Sequence, residues 1–313
     1  MLLEGWAAYV SFGEGLTTDW ADHTWVRSPS NNQYFDCWGG HDGPNRRQIV
    51  SGDGSYRWAN CYRCPVWPFR DTAGIGVYAV DGVCHQSTNC FLYTANRTLN
   101  FNVRGYWFSL FSYGTFGRSY LRWLAAPYGW CTWTTPRAIE ARSGDEQMDE
   151  DEGALARGEV EEDPAISVVR RVYGEAARSR KPKHPHELLA DEVAGVTEIH
   201  VPEVDFDELR DIQMDYLRKK DDLIARGHKE EQLAKRLDDL ARQTQKRIAQ
   251  KIGRERYERL MGMPAGEEVG LVEPGSVGMA GVPVPPPEAL VEPTEEGDDS
   301  DPTRQPDEDA HRS

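Results

Sequence analysis

Short apolar runs, broken at intervals by Gly, Asn and Asp, pattern the first part of the chain. Thr24-Trp25-Val26 follows Asp22-His23, and Gln48-Ile49-Val50 is stopped by Ser51-Gly52-Asp53-Gly54. Residues 75–80 are stopped by Asp81-Gly82, and residues 98–103 alternate with period two. These runs predict strands of about five residues. Across residues 83–93 the alternation fails, and Val83, Ser87, Cys90 and Phe91 share one helical face. That pattern predicts a strand, a tight turn at Asp81-Gly82, and a short helix whose first turn carries Cys84.

The second half reads differently. Phe206, Leu209, Ile212 and Tyr216 follow three-to-four spacing, as do Leu233, Leu237, Leu240, Ile248 and Ile252, with Gly227-His228 between the two sets. A helical hairpin with one apolar seam is expected over 201–264. Two bare helices are marginal alone, so the seam calls for a covering surface: the first domain, a second copy, or a partner protein. Residues 166–177 form a shorter helical pattern ahead of Lys181-Pro182-Lys183-His184-Pro185.

Composition divides the chain near Pro136. All 10 Trp and all 6 Cys precede residue 137, and all 8 Lys follow it. Residues 1–136 hold 10 Arg against 9 acidic residues, so the net charge of −16 belongs to the remainder, where acidic residues outnumber basic ones 43 to 26. The expected organisation is a Trp- and Cys-rich compact α+β domain over 1–136, then an acidic, mostly flexible linker over 137–200. The helical hairpin over 201–264 follows as a separate unit, then a disordered acidic, Pro-rich tail over 265–313. The acidic balance argues against a nucleic-acid partner. No apolar run reaches 18 residues, so no transmembrane segment is expected. The start, Met1-Leu2-Leu3-Glu4-Gly5-Trp6, lacks a basic and apolar leader pattern. A cytoplasmic location, or export by a route independent of a signal peptide, is the expectation.

The candidate nucleophile is Cys84. A thiol at a helix N-terminus faces the positive end of the helix dipole, which favours thiolate. A nucleophilic cysteine needs a base. His23, at the head of a predicted strand, is the candidate, with His41 as a further base or orienting group. His85 is adjacent to Cys84, but on a helix it points about 100° away. Cys90, in Asn89-Cys90, is a rival nucleophile that sits deeper in the helix, where the dipole helps less.

A strand beginning His23-Thr24-Trp25-Val26, followed later by a cysteine that opens a helix, resembles the circularly permuted papain-like enzymes. These include relatives of the NlpC-type cell-wall peptidases and the lecithin:retinol acyltransferases. The resemblance covers at most residues 20–110. It implies a papain-like core and thiol chemistry on an amide or ester bond of a peptide, cell-wall or acyl substrate. It also implies an acyl-enzyme on Cys84 with His23 as base. That chemistry requires no cofactor.

Metal is the competing chemistry. Cys61-Tyr62-Arg63-Cys64 has the spacing of a zinc half-site. Cys37 or Cys90 are candidates to complete a zinc site, and Cys84 and His85 are further possible ligands. Six cysteines also permit disulfides, which a reducing compartment disfavours. The alternative function is therefore a non-catalytic zinc- or disulfide-stapled module whose hairpin mediates assembly with a protein partner. Aromatic residues crowd the stretch 105–133 and read as core packing ahead of a ligand groove.

Overall fold

Four strands form one antiparallel sheet, and seven helices follow it in the chain, among the described residues. The computed structural model describes residues 2–9, 22–35, 45–53, 79–93, 95–117, 163–179, 183–228, 230–268 and 270. The strands are β1 (Leu2–Tyr9), β2 (Asp22–Ser28), β3 (Gln33–Phe35) and β4 (Arg47–Asp53). The helices are α1 (Cys84–Tyr93), α2 (Tyr106–Tyr113), α3 (Pro164–Arg178), α4 (Pro185–His200), α5 (Asp207–Ala225), α6 (Glu230–Ile252) and α7 (Arg254–Met261). The chain is thus of mixed α+β class. Among the described residues no helix is long and apolar enough to cross a membrane.

Strand order in the sheet is β3-β2-β1-β4. One face lies against α1: Leu3, Ala7 and Val26 pack with Phe91, Leu92, Leu99 and Tyr106. The approach is tight at β1. A side chain at Gly5 would meet Val50 at 2.9 Å and Leu92 at 3.1 Å, and the β1–β4 register slips at this position.

Helix α1 is buried along Cys84–Leu92, so it has no solvent face. Thr88 and Asn89 find their partners inside the protein, as burial demands. Thr88 Oγ1 donates to Thr24 Oγ1 at 3.0 Å. Asn89 donates to Tyr106 Oη at 2.9 Å and to Thr115 O at 2.8 Å, and accepts from Leu99 N at 2.8 Å.

Residues 98–103, expected as a strand, run as loop and turns. Side chains take the donors a ladder would use. Asp163 accepts from Thr98 N, Asn89 from Leu99 N and Asn100 from Asn102 N. The end of the 75–80 run is also a turn, with Ala79 N donating to Gly82 O at 2.7 Å. Its start, the acidic run near 145–152 and residues 271–313 lie outside the described residues.

Residues 164–200, part of the expected linker, carry α3 and α4. Asp163 caps α3 by accepting from Ala165 N at 2.9 Å. Leu189, Val193 and Val196 of α4 are buried in the main core. That core joins α1 and α2 to α5, α6 and α7, so the 201–264 helices are not a separate unit. Their apolar seam is covered by this chain's own α2 and α4. Trp107 donates to Thr197 Oγ1 at 2.9 Å, and Gln213 to Phe111 O at 2.8 Å. Buried Lys220 places Nζ 3.2 Å from Ser112 O, at the C-terminal end of α2, and 3.5 Å from the Tyr113 ring centroid. The helix dipole and the ring face both favour a cation there.

Asn89→Ala leaves Leu99 N and Thr115 O buried without their partner. The expected loss is at least about 2 kcal/mol of unfolding free energy in urea. A loss well below ~1 kcal/mol overturns the role given to Asn89.

Candidate functional site

The head of α1 meets the head of β2. Cys84 is the first helical residue, preceded by Val83, whose N–H donates to Gln86 Oε1 at 3.1 Å. That bond is the reach-back half of a capping box, made by the third helical residue. The first-turn amides of α1 are where the helix dipole is positive.

Asp22 is the meeting point. It turns its N–H and C=O away from β1. The N–H donates to Arg104 O at 3.0 Å. The carbonyl oxygen accepts from His85 Nε2 at 2.8 Å and from Cys84 Sγ at 3.8 Å. Strand β3 pairs with β2 at Val26, Arg27 and Ser28, which leaves the β2 edge at Asp22 facing α1. The Asp22 carboxylate is buried; it accepts from Arg104 N at 2.9 Å and is ion-paired with Arg47.

Cys84 is 6% exposed and is not part of a disulfide. Thr24 and Val26 leave β2 toward α1, so strand alternation sends His23 and Trp25 out on the other face, where their rings stack with centroids 5.7 Å apart. The structure therefore brings the head of β2 against Cys84 and starts the His23 side chain on the opposite face of the sheet.

His85 is fully buried and reaches the same carbonyl as Cys84. Its Nδ1 lies 2.8 Å from Ser109 Oγ. Burial pushes the imidazole down to about 4, with the Asp22 carbonyl bond pulling the other way. Ser109 Oγ also accepts from Gln86 Nε2 at 3.2 Å.

Cys90 is likewise not part of a disulfide, but burial pushes it up to about 12 and its Sγ points at Phe116 O, 3.7 Å away. Burial of this kind disfavours the thiolate that a nucleophile needs. Among the described residues no three His, Cys, Asp or Glu side chains converge to hold a metal ion. His41, Cys37, Cys61 and Cys64 lie outside the described residues. The described aromatics of the 105–133 stretch, Tyr106 to Phe116, are all buried, as core packing requires.

The sequence pattern did not single out Asp22, Gln86 or Ser109, and it set His85 aside. Gln86, three positions after Val83, was legible as a capping residue; Ser109 carries no local signal. No family model, curated protein or solved structure matches this chain.

The buried imidazole makes a testable contribution to acid stability. Native His85 stays neutral down to about pH 4, whereas the unfolded side chain gains its proton near 6.5. In that window the unfolded state binds more protons. Stability is therefore lost as pH falls through it, by up to about 1.4 kcal/mol per pH unit. Glu192 acts oppositely, because burial raises its carboxyl in the folded state. Comparing wild type with His85→Gln isolates the histidine. The stability advantage of wild type in urea should shrink from about pH 7 to about pH 4.5; an advantage independent of pH contradicts the buried neutral state.

Proposed function

We propose that this chain is a thiol enzyme, a hydrolase or transferase acting on an amide or ester bond, with Cys84 as the nucleophile. The observation that carries this reading is the place of the thiol. It opens a helix, and its Sγ lies 3.8 Å from the carbonyl of the peptide that leads into His23. Peptide geometry puts the His23 Cα within about 7 Å of that sulfur. In this reading the His23 ring leaves its stack on Trp25 and swings over the β2 edge to reach the thiol. A thiol helix laid on an antiparallel sheet, after the strand that carries the histidine, supports the permuted papain-like reading.

In the proposed reaction a ring nitrogen of His23 takes the Cys84 proton. The thiolate adds to the substrate carbonyl carbon, and the electron pair moves to oxygen. The α1 first-turn amides face that oxyanion. Collapse breaks the C–N or C–O bond, and the leaving amine or alcohol takes the proton from His23. An acyl thioester remains on Cys84. Water, or a second amine in a transferase, then gives its proton to His23 and attacks the thioester. The second collapse releases the acyl product and regenerates the thiol.

One observation favours a purely structural role for Cys84 instead, distinct from the stapled module: Cys84 belongs to the main hydrophobic core. In that reading it is a small buried filler, which is the commoner fate of a free cysteine.

The two readings part on reactivity. Full-length protein is incubated with p-nitrophenyl acetate and mapped by peptide mass spectrometry. An acetyl adduct on Cys84, absent in Cys84→Ala and reduced at least ~100-fold in rate in His23→Ala, is expected. Cys84→Ala should stay within about 1.5 kcal/mol of wild-type stability. No adduct, together with a Cys84→Ala variant that fails to fold, establishes the filler role instead.

A further inference from the structure

Three buried polar side chains at the head of α1 have no part in the chemistry above: His85, Gln86 and Ser109. Their hydrogen bonds can be assigned by counting protons. The Asp22 carbonyl only accepts, so His85 Nε2, 2.8 Å away, carries a hydrogen. In the neutral ring Nδ1 is then an acceptor. Gln86 is fixed in orientation, because its Oε1 accepts from Val83 N and its Nε2 donates to Gly114 O at 3.0 Å. Its second amide hydrogen goes to Ser109 Oγ. The single Ser109 hydroxyl proton thus has two acceptors, each 2.8 Å away: His85 Nδ1 and Tyr106 O.

This arrangement tolerates both charge states of the ring without moving a heavy atom. With neutral His85, Ser109 donates to Nδ1. With the imidazolium, Nδ1–H donates to Ser109 Oγ and the hydroxyl turns to Tyr106 O. In both states Nε2–H stays on the Asp22 carbonyl. The groups facing the ring are the Asp22 main chain from β2, Cys84 from α1, and Ser109 and Tyr106 from α2, with the Tyr106 ring edge-on at 5.8 Å. The nearby Asp22 carboxylate is held by Arg47 and Arg104 N.

We propose that His85 is a positioning residue of the thiol site, locked by Ser109 and Gln86 so that its Nε2–H pins the carbonyl that Cys84 also touches. The inference rests on the reading of Cys84 as nucleophile. Pinning does two things. It fixes the peptide that leads into His23 relative to the sulfur. It also supplies the Asp22 oxygen with a strong N–H donor, so the S–H, a weak donor at 3.8 Å, is the looser partner and its proton is the more readily surrendered.

The test is the rate at which iodoacetamide labels Cys84 in the full-length protein from about pH 5 to about pH 9, read by peptide mass mapping beside a small-molecule thiol. Each variant is first shown to be folded by near-ultraviolet circular dichroism. Ser109→Ala removes the Nδ1 partner, and His85→Ala removes the pin. Gln in His85→Gln restores an N–H donor near the Nε2 position. Labelling of Cys84 is expected to slow about tenfold or more in His85→Ala and to shift its pH midpoint in Ser109→Ala. His85→Gln should recover most of the rate lost in His85→Ala. Where His85→Ala does not fold, Ser109→Ala and His85→Gln decide the matter. Wild-type Cys84 that labels fast at low pH, with variants sharing its rate and profile, overturns the positioning role alone. Wild-type Cys84 that labels no faster than the free thiol overturns the nucleophile and this inference with it.

Discussion

Asp22 sits where strand, helix and loop meet, and its polar groups are claimed between them by α1, Arg47 of β4 and Arg104 of the 101–105 loop. Its N–H goes to Arg104 O, its carbonyl oxygen to α1, and its carboxylate to Arg47 and Arg104 N. A residue that is 1% exposed has no water to fall back on, so these bonds are obligatory. They hold the head of β2, the start of α1 and the 101–105 loop together. The thiol at Cys84 inherits its position from that arrangement.

The C-terminal helices reach the same point from the other side. Met261 O accepts from Gly105 N at 3.0 Å, and a side chain at Gly262 would stand 3.1 Å from Phe101 O. Gly262 also adopts a positive φ of 68°, the left-handed end of α7. Arg104, which hands its N–H to Asp22, pairs through its guanidinium with Glu267 at 2.9 Å. The helical half therefore braces the loop that braces Asp22. Glu192 does comparable work at the far end of α2. It is buried on α4 and accepts from Thr115 N and from Tyr173 Oη, each at 2.6 Å. The two halves that composition separates so sharply are welded by contacts of this kind.

How much of this was legible follows from which forces leave a local signature. Strands β2 and β4 were visible because apolar runs end at Gly and Asp. Strand β1 was not, because the face it turns to α1 uses Gly5 and Ala7, small enough for Leu92 to approach and too small to mark a pattern. The alternation at 98–103 misled because its backbone donors go to side chains, to Asn89 and Asp163 far outside the run and to Asn100 within it. The helix at 83–93 was found, but one apolar face was expected where every face is buried; polar residues with internal partners look like surface residues in a sequence. Residues 164–200 read as linker on charge, yet the spacing of Leu189, Val193 and Val196 outweighed it once a core was present to receive them.

His85 shows why the site was only half readable. Angular separation on a helix separates neighbours that look sideways, so Cys84 and His85 seemed unable to serve one centre. Here the shared acceptor is a single carbonyl at the head of the helix, where successive residues of the first turn converge. That oxygen belongs to Asp22, whose own amide is held by the 101–105 loop. The chemistry proposed for Cys84 is thus a property of three segments that are distant in the chain. A thiol helix supplies the sulfur, a strand end supplies the carbonyl and the adjacent histidine, and a loop pinned by the C-terminal helices keeps the strand end in place. Preorganisation of this kind needs rigid support behind the reacting atoms, and the buried hydrogen bonds of Gln86, Thr88 and Asn89 on α1 provide it.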